Sequence, residues 1–466
     1  MQLGDILTNE TFDVQTASVE VNRVEIDSRQ CVFPTLFFAL QGSNVDGADY
    51  VADAVARGAV AVVASRPITA PVPVVVIPES RIHHVLAHAS ATVSEHPEAG
   101  VDLVGVTGTN GKTTVTSLVA TLAQSMGWNG AVIGTLTNER TTPAAPELYR
   151  TLSRLRHDFD PTRPRSLVAL EVSSHALDQH RVVGSHFAVV AFTNLSHDHL
   201  DYHRTMEAYY AAKARLFALE YSARAVIWVD DPYGARLAAT TSLAVTAVAR
   251  SDASDVSSTL SGTVFFWRGH LVNTPLVGDY NIDNALVAMA ILVELGAPEE
   301  EVAAAMASVS AVPGRFEVVQ QGDVTVIVDY AHTPDGLERL LLSVRELSSG
   351  RVITVFGCGG DRDASKRPAM GQVAAHLSDL TVVTSDNPRH ESPDAIIDAI
   401  ISGVDGPADV LREVDRREAI ARALGSARPG DVVVVAGKGH ETTQAFADRV
   451  VEFDDREVVR ELLKGA

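Results

Sequence analysis

The chain has 466 residues and carries 38 Lys plus Arg against 59 Asp plus Glu, a formal net charge of −21. That charge argues against a counterion-displacing nucleic-acid surface and against docking on anionic lipid, although a few local donors can still bind an anionic ligand. A hydrophobic content of 46% excludes a disordered chain, the length fits about three domains, and only two cysteines, Cys31 and Cys358, argue against a disulfide framework and for a cytoplasmic setting.

Met1-Gln2-Leu3-Gly4-Asp5 has no basic stretch leading into an apolar core. No apolar run nears the ~20 residues of a membrane span, so neither signal peptide nor membrane partner is expected. Strands are predicted at 59–65 and 72–77, before a polar, breaker-rich junction at 96–100. Strands follow at 101–107, 167–172, 189–193 and 225–229, with helices at 113–126 and 283–295 and a surface loop at 156–165. A second junction, Val312-Pro313-Gly314-Arg315, precedes strands at 325–329, 351–356, 380–385 and 431–436 and helices at 335–347 and 393–401. Strands alternating with helices predict an α/β fold of doubly wound, mainly parallel sheets. The junctions divide it into three expected domains, 1–98, 99–313 and 314–466.

Gly108-Thr109-Asn110-Gly111-Lys112-Thr113-Thr114 follows a predicted strand and opens a predicted helix. That is the context of a phosphate loop: glycines turn backbone N–H groups inward, the helix N-terminus adds its dipole, the Lys reaches the outer phosphates and the first Thr hydroxyl suits Mg²⁺. The spacing is shorter than the usual pattern, with Val106 where its first glycine would stand. The bound nucleotide expected there is ATP.

Four further blocks follow: Glu171-Val172-Ser173-Ser174-His175, the run from Thr193 to His203, Gly278-Asp279-Tyr280-Asn281-Ile282-Asp283-Asn284, and Asp329-Tyr330-Ala331-His332-Thr333-Pro334. In this order and spacing the chain resembles the Mur ligases, ATP-dependent enzymes that build the peptidoglycan stem peptide. The resemblance runs from Asp27-Ser28-Arg29 to Gly437-Lys438-Gly439-His440-Glu441. It implies an N-terminal Rossmann-like domain for the UDP-sugar, a central P-loop ATPase-like domain and a C-terminal Rossmann-like domain for the amino acid. It implies ATP and Mg²⁺ as cofactors, and a cytoplasmic monomer without nucleic-acid partners.

Asp386-Asn387-Pro388-Arg389 points to the branch that adds a diamino acid, meso-diaminopimelate, to the D-Glu γ-carboxylate of UDP-N-acetylmuramoyl-L-Ala-D-Glu through an acyl phosphate. By resemblance, Lys112, Glu171, His199 and a carbamylated Lys213 are catalytic, with Thr113, Glu171 and His199 holding metal. Gly108 to Thr114, Asn194, Asn281, Arg315 and Asp329 bind the nucleotide. Ile26, Ser28, Ser43, Asn44, Val45, Thr141, Thr142, Ser173, Gln179 and Arg181 hold the UDP-muramoyl dipeptide. Arg367, Asp386, Asn387, Pro388, Arg389, Gly437 and Glu441 take the diamino acid.

The residues alone leave other readings open. Glu171 could be a solvated strand-end carboxylate, Lys213 a helix-surface lysine, and Asp386–Arg389 a surface turn. The five histidines within 179–203 could form a polar surface cluster, and Asn281 or Asn284 could cap a helix. The loop before Thr141 is short and carries Arg140 where some relatives have Asn. For function, the alternatives are a member that adds L-lysine or LL-diaminopimelate, folylpolyglutamate synthase, or a non-catalytic nucleotide-binding paralogue.

Overall fold

Val-, Ala- and Leu-rich runs bounded by Gly, Pro and Asp form strands buried on both faces, as parallel sheets covered by helices require. The structure, a computed structural model, describes residues 1–11, 13–42, 45–138 and 140–464. In the first domain β1 (Arg23–Glu25), β2 (Thr35–Ala39), β3 (Ala59–Ala64) and β4 (Val74–Val76) lie side by side in that order, all parallel, and α1 (Glu79–Val93) follows.

The central domain begins with β5 (Asp102–Thr107), α2 (Lys112–Ser125), β6 (Asn129–Ile133), α3 (Ala145–Asp158), β7 (Ser166–Glu171) and β8 (Val189–Phe192). It continues through α4 (Met206–Ala214), β9 (Arg224–Trp228) and β10 (Ala244–Val248), and the parallel sheet has the order β10-β9-β8-β5-β7-β6. A three-stranded antiparallel sheet, β11 (Ala253–Thr259), β12 (Gly262–Trp267) and β13 (His270–Thr274), leads into α5 (Asp279–Glu294).

In the last domain come β14 (Glu317–Gln320), β15 (Thr325–Asp329), α6 (Pro334–Leu347), β16 (Val352–Phe356), α7 (Lys366–Leu377), β17 (Leu380–Val383), β18 (Asp409–Arg412) and β19 (Val432–Ala436). Their order is β14-β15-β19-β16-β17-β18, with only β14 antiparallel, and the hairpin β20 (Thr443–Ala445) and β21 (Val450–Glu452) follows.

The first and central domains share an apolar core: Val24, Leu36 and Leu86 pack in one cluster with Leu148, Leu170 and Phe192. Each such side chain contributes about 1.5–3 kcal/mol on burial. Arg150 of α3 locks this interface, reaching Glu25 at 2.9 Å and the Val24 carbonyl at 3.2 Å. The C-terminal sheet has its own two cores, one on each face. Among the described residues no helix is long and apolar enough to cross a membrane.

Two local expectations change. The predicted helix at 283–295 starts at Asp279, capped by Gly278. Asn281 and Asn284 are therefore buried inside α5 and cap nothing, and the Asn281 amide donates instead to the Val277 carbonyl at 2.8 Å. The loop predicted at 156–165 is shorter, because α3 runs on to Asp158.

Candidate active site

The phosphate loop hangs from β5, whose neighbours in the sheet are β7 and β8. The chain crosses β5 between those two strands, so the loop sits where connections diverge, the usual position of a ligand crevice in such sheets. Thr193 donates through its hydroxyl to the Asn110 carbonyl at 2.6 Å, and the Asn194 carboxamide accepts from Asn110 N–H at 2.9 Å. Gly111 has φ +86°, and a Cβ there would stand 2.3 Å from Asn284 Oδ1, so only glycine fits. No side chain caps α2, which leaves its first N–H groups open to an anion. Thr109 bonds the Tyr209 hydroxyl at 3.2 Å, and Thr114 is buried at the cleft wall.

Lys112 folds back onto the loop, donating to the carbonyls of Gly108 and Thr109 at 2.9 Å each. Burial lowers its pKa, against the opposing pull of Glu171 and Asp198. Glu171 ends β7 and is 1% exposed, so it is no solvated carboxylate. It accepts from Thr113 Oγ1 at 2.9 Å, from Thr135 N–H at 2.9 Å and from Thr135 Oγ1 at 3.2 Å. Thr113 and Glu171 thus form an adjacent pair of hard oxygen donors. Among the described residues no three His, Cys, Asp or Glu side chains converge on a metal point. Such a pair fits Mg²⁺, which keeps waters and phosphate oxygens for the rest of its shell.

His199, at φ 54°, lies 3.5 Å from Asp198 and packs edge-on against His175 with ring centroids 4.9 Å apart. Burial pushes its pKa down, favouring the neutral ring a metal needs, while Asp198 pulls the other way. Lys213 is 1% exposed and lies on the inner face of α4, so it is not a helix-surface lysine. Its Nζ donates to the Gly108 carbonyl at 2.7 Å and sits 4.7 Å from the Tyr209 ring centroid, with no carboxylate partner among the described residues. Burial first, then Lys112, drives its pKa well below the ordinary lysine value. Lowering the pKa favours the neutral amine, the nucleophilic form that carbamate formation needs.

The C-terminal domain closes the other side. Arg315 Nη2 donates to Thr113 Oγ1 at 3.2 Å. Asn110 donates to Asp335 at 3.2 Å. Asp329 accepts from the Tyr280 hydroxyl at 3.1 Å, and from the N–H groups of Phe316 at 2.6 Å and Ala331 at 2.7 Å. Between the domains lies a cleft reached by Asn110, Thr114, Asn194, Asn284, Arg315 and Asp329. Asn281 stands one helical turn from Asn284, 3.4 Å away, but turns its amide inward.

The residues assigned to the dipeptide fall into two groups. Thr142, Ser173, Gln179 and Arg181 converge: Thr142 Oγ1 donates to the Glu171 carbonyl at 2.8 Å and accepts from Ser173 N–H at 3.0 Å. Arg181 donates to the Thr142 carbonyl at 3.0 Å and to Gln179 at 2.6 Å. Thr141 bonds Thr135 at 3.1 Å across the short loop, and Arg140 is exposed. Ile26 and the buried Ser28 follow β1 in the first domain, and Val45 is exposed. Ser43 and Asn44 lie outside the described residues.

Asp386, Asn387 and Pro388 are buried just beyond β17, beside Gly437 after β19. They do not form an exposed turn. Asp386 accepts from Asn387 N–H at 2.7 Å, and Asn387 Nδ2 donates to Glu441 at 2.7 Å. Arg389, at φ 50°, donates to the Gly360 carbonyl at 2.8 Å. Arg367 is 4% exposed and meets Glu391 through both terminal nitrogens, at 2.9 and 2.8 Å.

Sequence reasoning passed over three groups that the fold brings together: Asp198 of the central domain faces His332 at 3.8 Å and Lys366 at 3.9 Å in the C-terminal domain. Asp198 sits inside the His-rich run and Lys366 precedes Arg367, so both stood beside residues already singled out. Burial opposes ionisation of Asp198, but His199, His332 and Lys366 outweigh it and hold its carboxyl below the usual range.

Three family models match the chain: Mur ligase family, catalytic domain, at residues 20–98; Mur ligase middle domain at 106–292; and Mur ligase, glutamate ligase domain at 314–439. The UDP-N-acetylmuramoyl-L-alanyl-D-glutamate–2,6-diaminopimelate ligase of Gloeobacter violaceus is 42% identical over 99% of this chain and 98% of its own. Its namesake from Geobacillus kaustophilus is 44% identical over 96% of this chain and 95% of its own. A solved ligase of that name superposes with a TM-score of 0.70 at 30% identity, covering 100% of this chain and 99% of its own. A folylpolyglutamate synthase of Mycobacterium tuberculosis shares the fold, at TM-score 0.58 and 19% identity over 75% of this chain and 91% of its own.

Proposed function

The chain belongs to the Mur ligase family, and we propose that it joins meso-2,6-diaminopimelate to the D-glutamate γ-carboxylate of UDP-N-acetylmuramoyl-L-alanyl-D-glutamate in peptidoglycan synthesis, consuming ATP. The observation that carries this reading is whole-length likeness, 42% identity over 99% of the chain, to ligases named for that reaction. We read the enzyme as a cytoplasmic monomer, with residues 1–98 taking the UDP-sugar, 99–313 the ATP and 314–466 the amino acid.

A carboxylate oxygen of the dipeptide attacks the γ-phosphorus of ATP, ADP leaves, and the acyl phosphate results. The substrate amine, deprotonated, then attacks the acyl carbon, phosphate departs with the C–O bonding pair, and the nitrogen sheds one proton to phosphate or solvent. Such transfers need positioning and charge neutralisation more than covalent help from the protein. The open N-terminus of α2 and Lys112 cradle the phosphates, and Lys112 leaves the carbonyls of Gly108 and Thr109 to do so. Thr113 and Glu171, with His199 for a second ion, hold Mg²⁺, which supplies charge neutralisation on the phosphates. A carbamate on Lys213 forms from the neutral amine and CO₂ with loss of one proton, and leaves an anion where the amine stood. Arg181 and the Thr142–Ser173 pair orient the dipeptide carboxylate.

Arg389 supplies a guanidinium for the distal carboxylate of the diamino acid, and Asp386 and Glu441 supply carboxylates for its distal ammonium. Lysine lacks that distal carboxylate, so it leaves the charge of the half-buried Arg389 without a carboxylate partner, which discriminates against it. Phosphate release measured with the dipeptide and meso-diaminopimelate, LL-diaminopimelate or lysine tests the reading. Release with meso-diaminopimelate is expected. Preference for lysine or the LL isomer overturns the substrate assignment, and no release with any of them points to a non-catalytic paralogue.

A further inference from the structure

Lysine rarely tolerates complete burial, because its ammonium ordinarily reaches out to water. Lys438 is an exception, at 0% exposure. It sits between Gly437 and Gly439, whose φ values of +112° and +53° turn the chain sharply after β19 and send the side chain inward. There its Nζ donates to the Thr443 carbonyl at 2.7 Å, to Glu441 Oε2 at 3.1 Å and to Asn387 Oδ1 at 3.3 Å. Three acceptors, one of them charged, offset the desolvation that an unpaired ammonium would suffer.

Those contacts determine which atoms the pocket presents. Asn387 Oδ1 accepts from both Lys438 and Ala445 N–H, the latter at 2.9 Å, so the carboxamide can lie only one way round, with Nδ2 toward Glu441. Glu441 Oε2 then receives both Lys438 and Asn387 Nδ2, while Oε1 takes no protein hydrogen bond among the described residues. Glu441 is 31% exposed at its side chain, so this free oxygen is the atom it can offer to a ligand.

We propose that Lys438 is a positioning residue for the amino-acid substrate: by pinning Glu441 Oε2 and the Asn387 carboxamide it aims Glu441 Oε1 at a substrate ammonium. The inference rests on the reading of this pocket as the diamino-acid site. Lys438 touches no substrate itself and acts through Glu441.

Lys438→Met, Glu441→Gln and the double variant test it in the full-length enzyme, with KM determined separately for the amino acid, the UDP-linked dipeptide and ATP. Lys438→Met is expected to raise the amino-acid KM about tenfold or more, the scale of losing a charged hydrogen bond, and to leave the ATP KM within twofold. Its effect is expected to vanish in the Glu441→Gln background, because one residue acts through the other. A merely structural role would instead lower activity toward all three substrates and multiply with Glu441→Gln, and either result overturns the proposal. The varied substrate is whichever amino acid the wild type turns over. Preference for lysine would therefore overturn the diaminopimelate reading and leave the Lys438 test intact.

Discussion

Arg315, from the C-terminal domain, donates to the hydroxyl of Thr113 in the phosphate loop at 3.2 Å, while its guanidinium lies 4.3 Å from the ring centroid of Tyr330. Its Nε is buried with no partner among the described residues. One side chain thus carries charge across the domain boundary to the place where phosphate oxygens would lie. Arg315→Ala is expected to lower kcat by about 10²-fold, the scale of losing one preorganised donor to a developing charge. Arg315→Lys is expected to recover little, since an ammonium lacks the planar fork and the stacking face. Steady-state kinetics decide it, and a change under twofold would remove Arg315 from the mechanism.

Lys213 bonds no carboxylate among the described residues, and burial first, then Lys112, drives its pKa well below the ordinary lysine value. Lys213→Ala is expected to abolish turnover by about 10²-fold or more. Added formate or acetate, small enough to occupy the vacated anion position, is expected to restore part of it. Failure of every short-chain carboxylate to rescue the variant would argue for a plain ammonium at this position.

Arg389 is the guanidinium proposed to separate diaminopimelate from lysine. Arg389→Ala is expected to reduce kcat/KM for meso-diaminopimelate by about 10²-fold or more and to narrow the preference over lysine. Competition between the two amino acids in one assay reads the ratio directly. An unchanged ratio would move the specificity elsewhere.

Arg416 and Asp455 form an ion pair at 0% exposure for both side chains, with contacts at 2.8 and 2.7 Å, and Arg416 also donates to the Ala436 carbonyl at 3.0 Å. Asp455→Ala leaves a buried guanidinium uncompensated and is expected to destabilise the C-terminal domain by about 3–5 kcal/mol. Replacing both partners by apolar residues of similar volume is expected to recover much of that loss. Denaturant unfolding of the two variants compares them.

His440 is half-buried against Tyr330, its buried Nδ1 has no partner among the described residues, and desolvation lowers its pKa from 6.5 to about 4. The unfolded chain therefore binds the proton first, so stability is lost as pH falls from about 6.5 toward 4. His440→Gln, which cannot titrate, is expected to lose less over the same window, as thermal unfolding at a series of pH values would show. Parallel curves for both proteins would dismiss His440 as the acid-sensitive group.

Much of the central domain could be read from local patterns. The strand–loop–helix around Gly108–Thr114 needs only a buried apolar run, glycines at the turn and a helix with an unblocked N-terminus, all contiguous in the chain. The antiparallel strands β11–β13 escaped notice for the opposite reason. Their burial alternates along β12, with Phe265 and Trp267 inside and Val264 and Phe266 exposed, so they lack the continuous apolar run that marks a parallel strand. Asn281 and Asn284 were ambiguous because capping and interior Asn look alike until the helix start is known.

Taken alone, the sequence determined the chemistry available: a phosphate loop, a Glu at a strand end, a lysine-bearing helix and an Asp-Asn-Pro-Arg motif. Only the tertiary structure decided which charges meet. Asp198 facing His332 and Lys366, Arg315 on Thr113, and Lys438 beneath Asn387 and Glu441 all depend on strand order, sharp turns and domain closure. Hydrophobic periodicity records which face of an element is buried, but not which element it is buried against, and a buried charge takes its meaning from that neighbour.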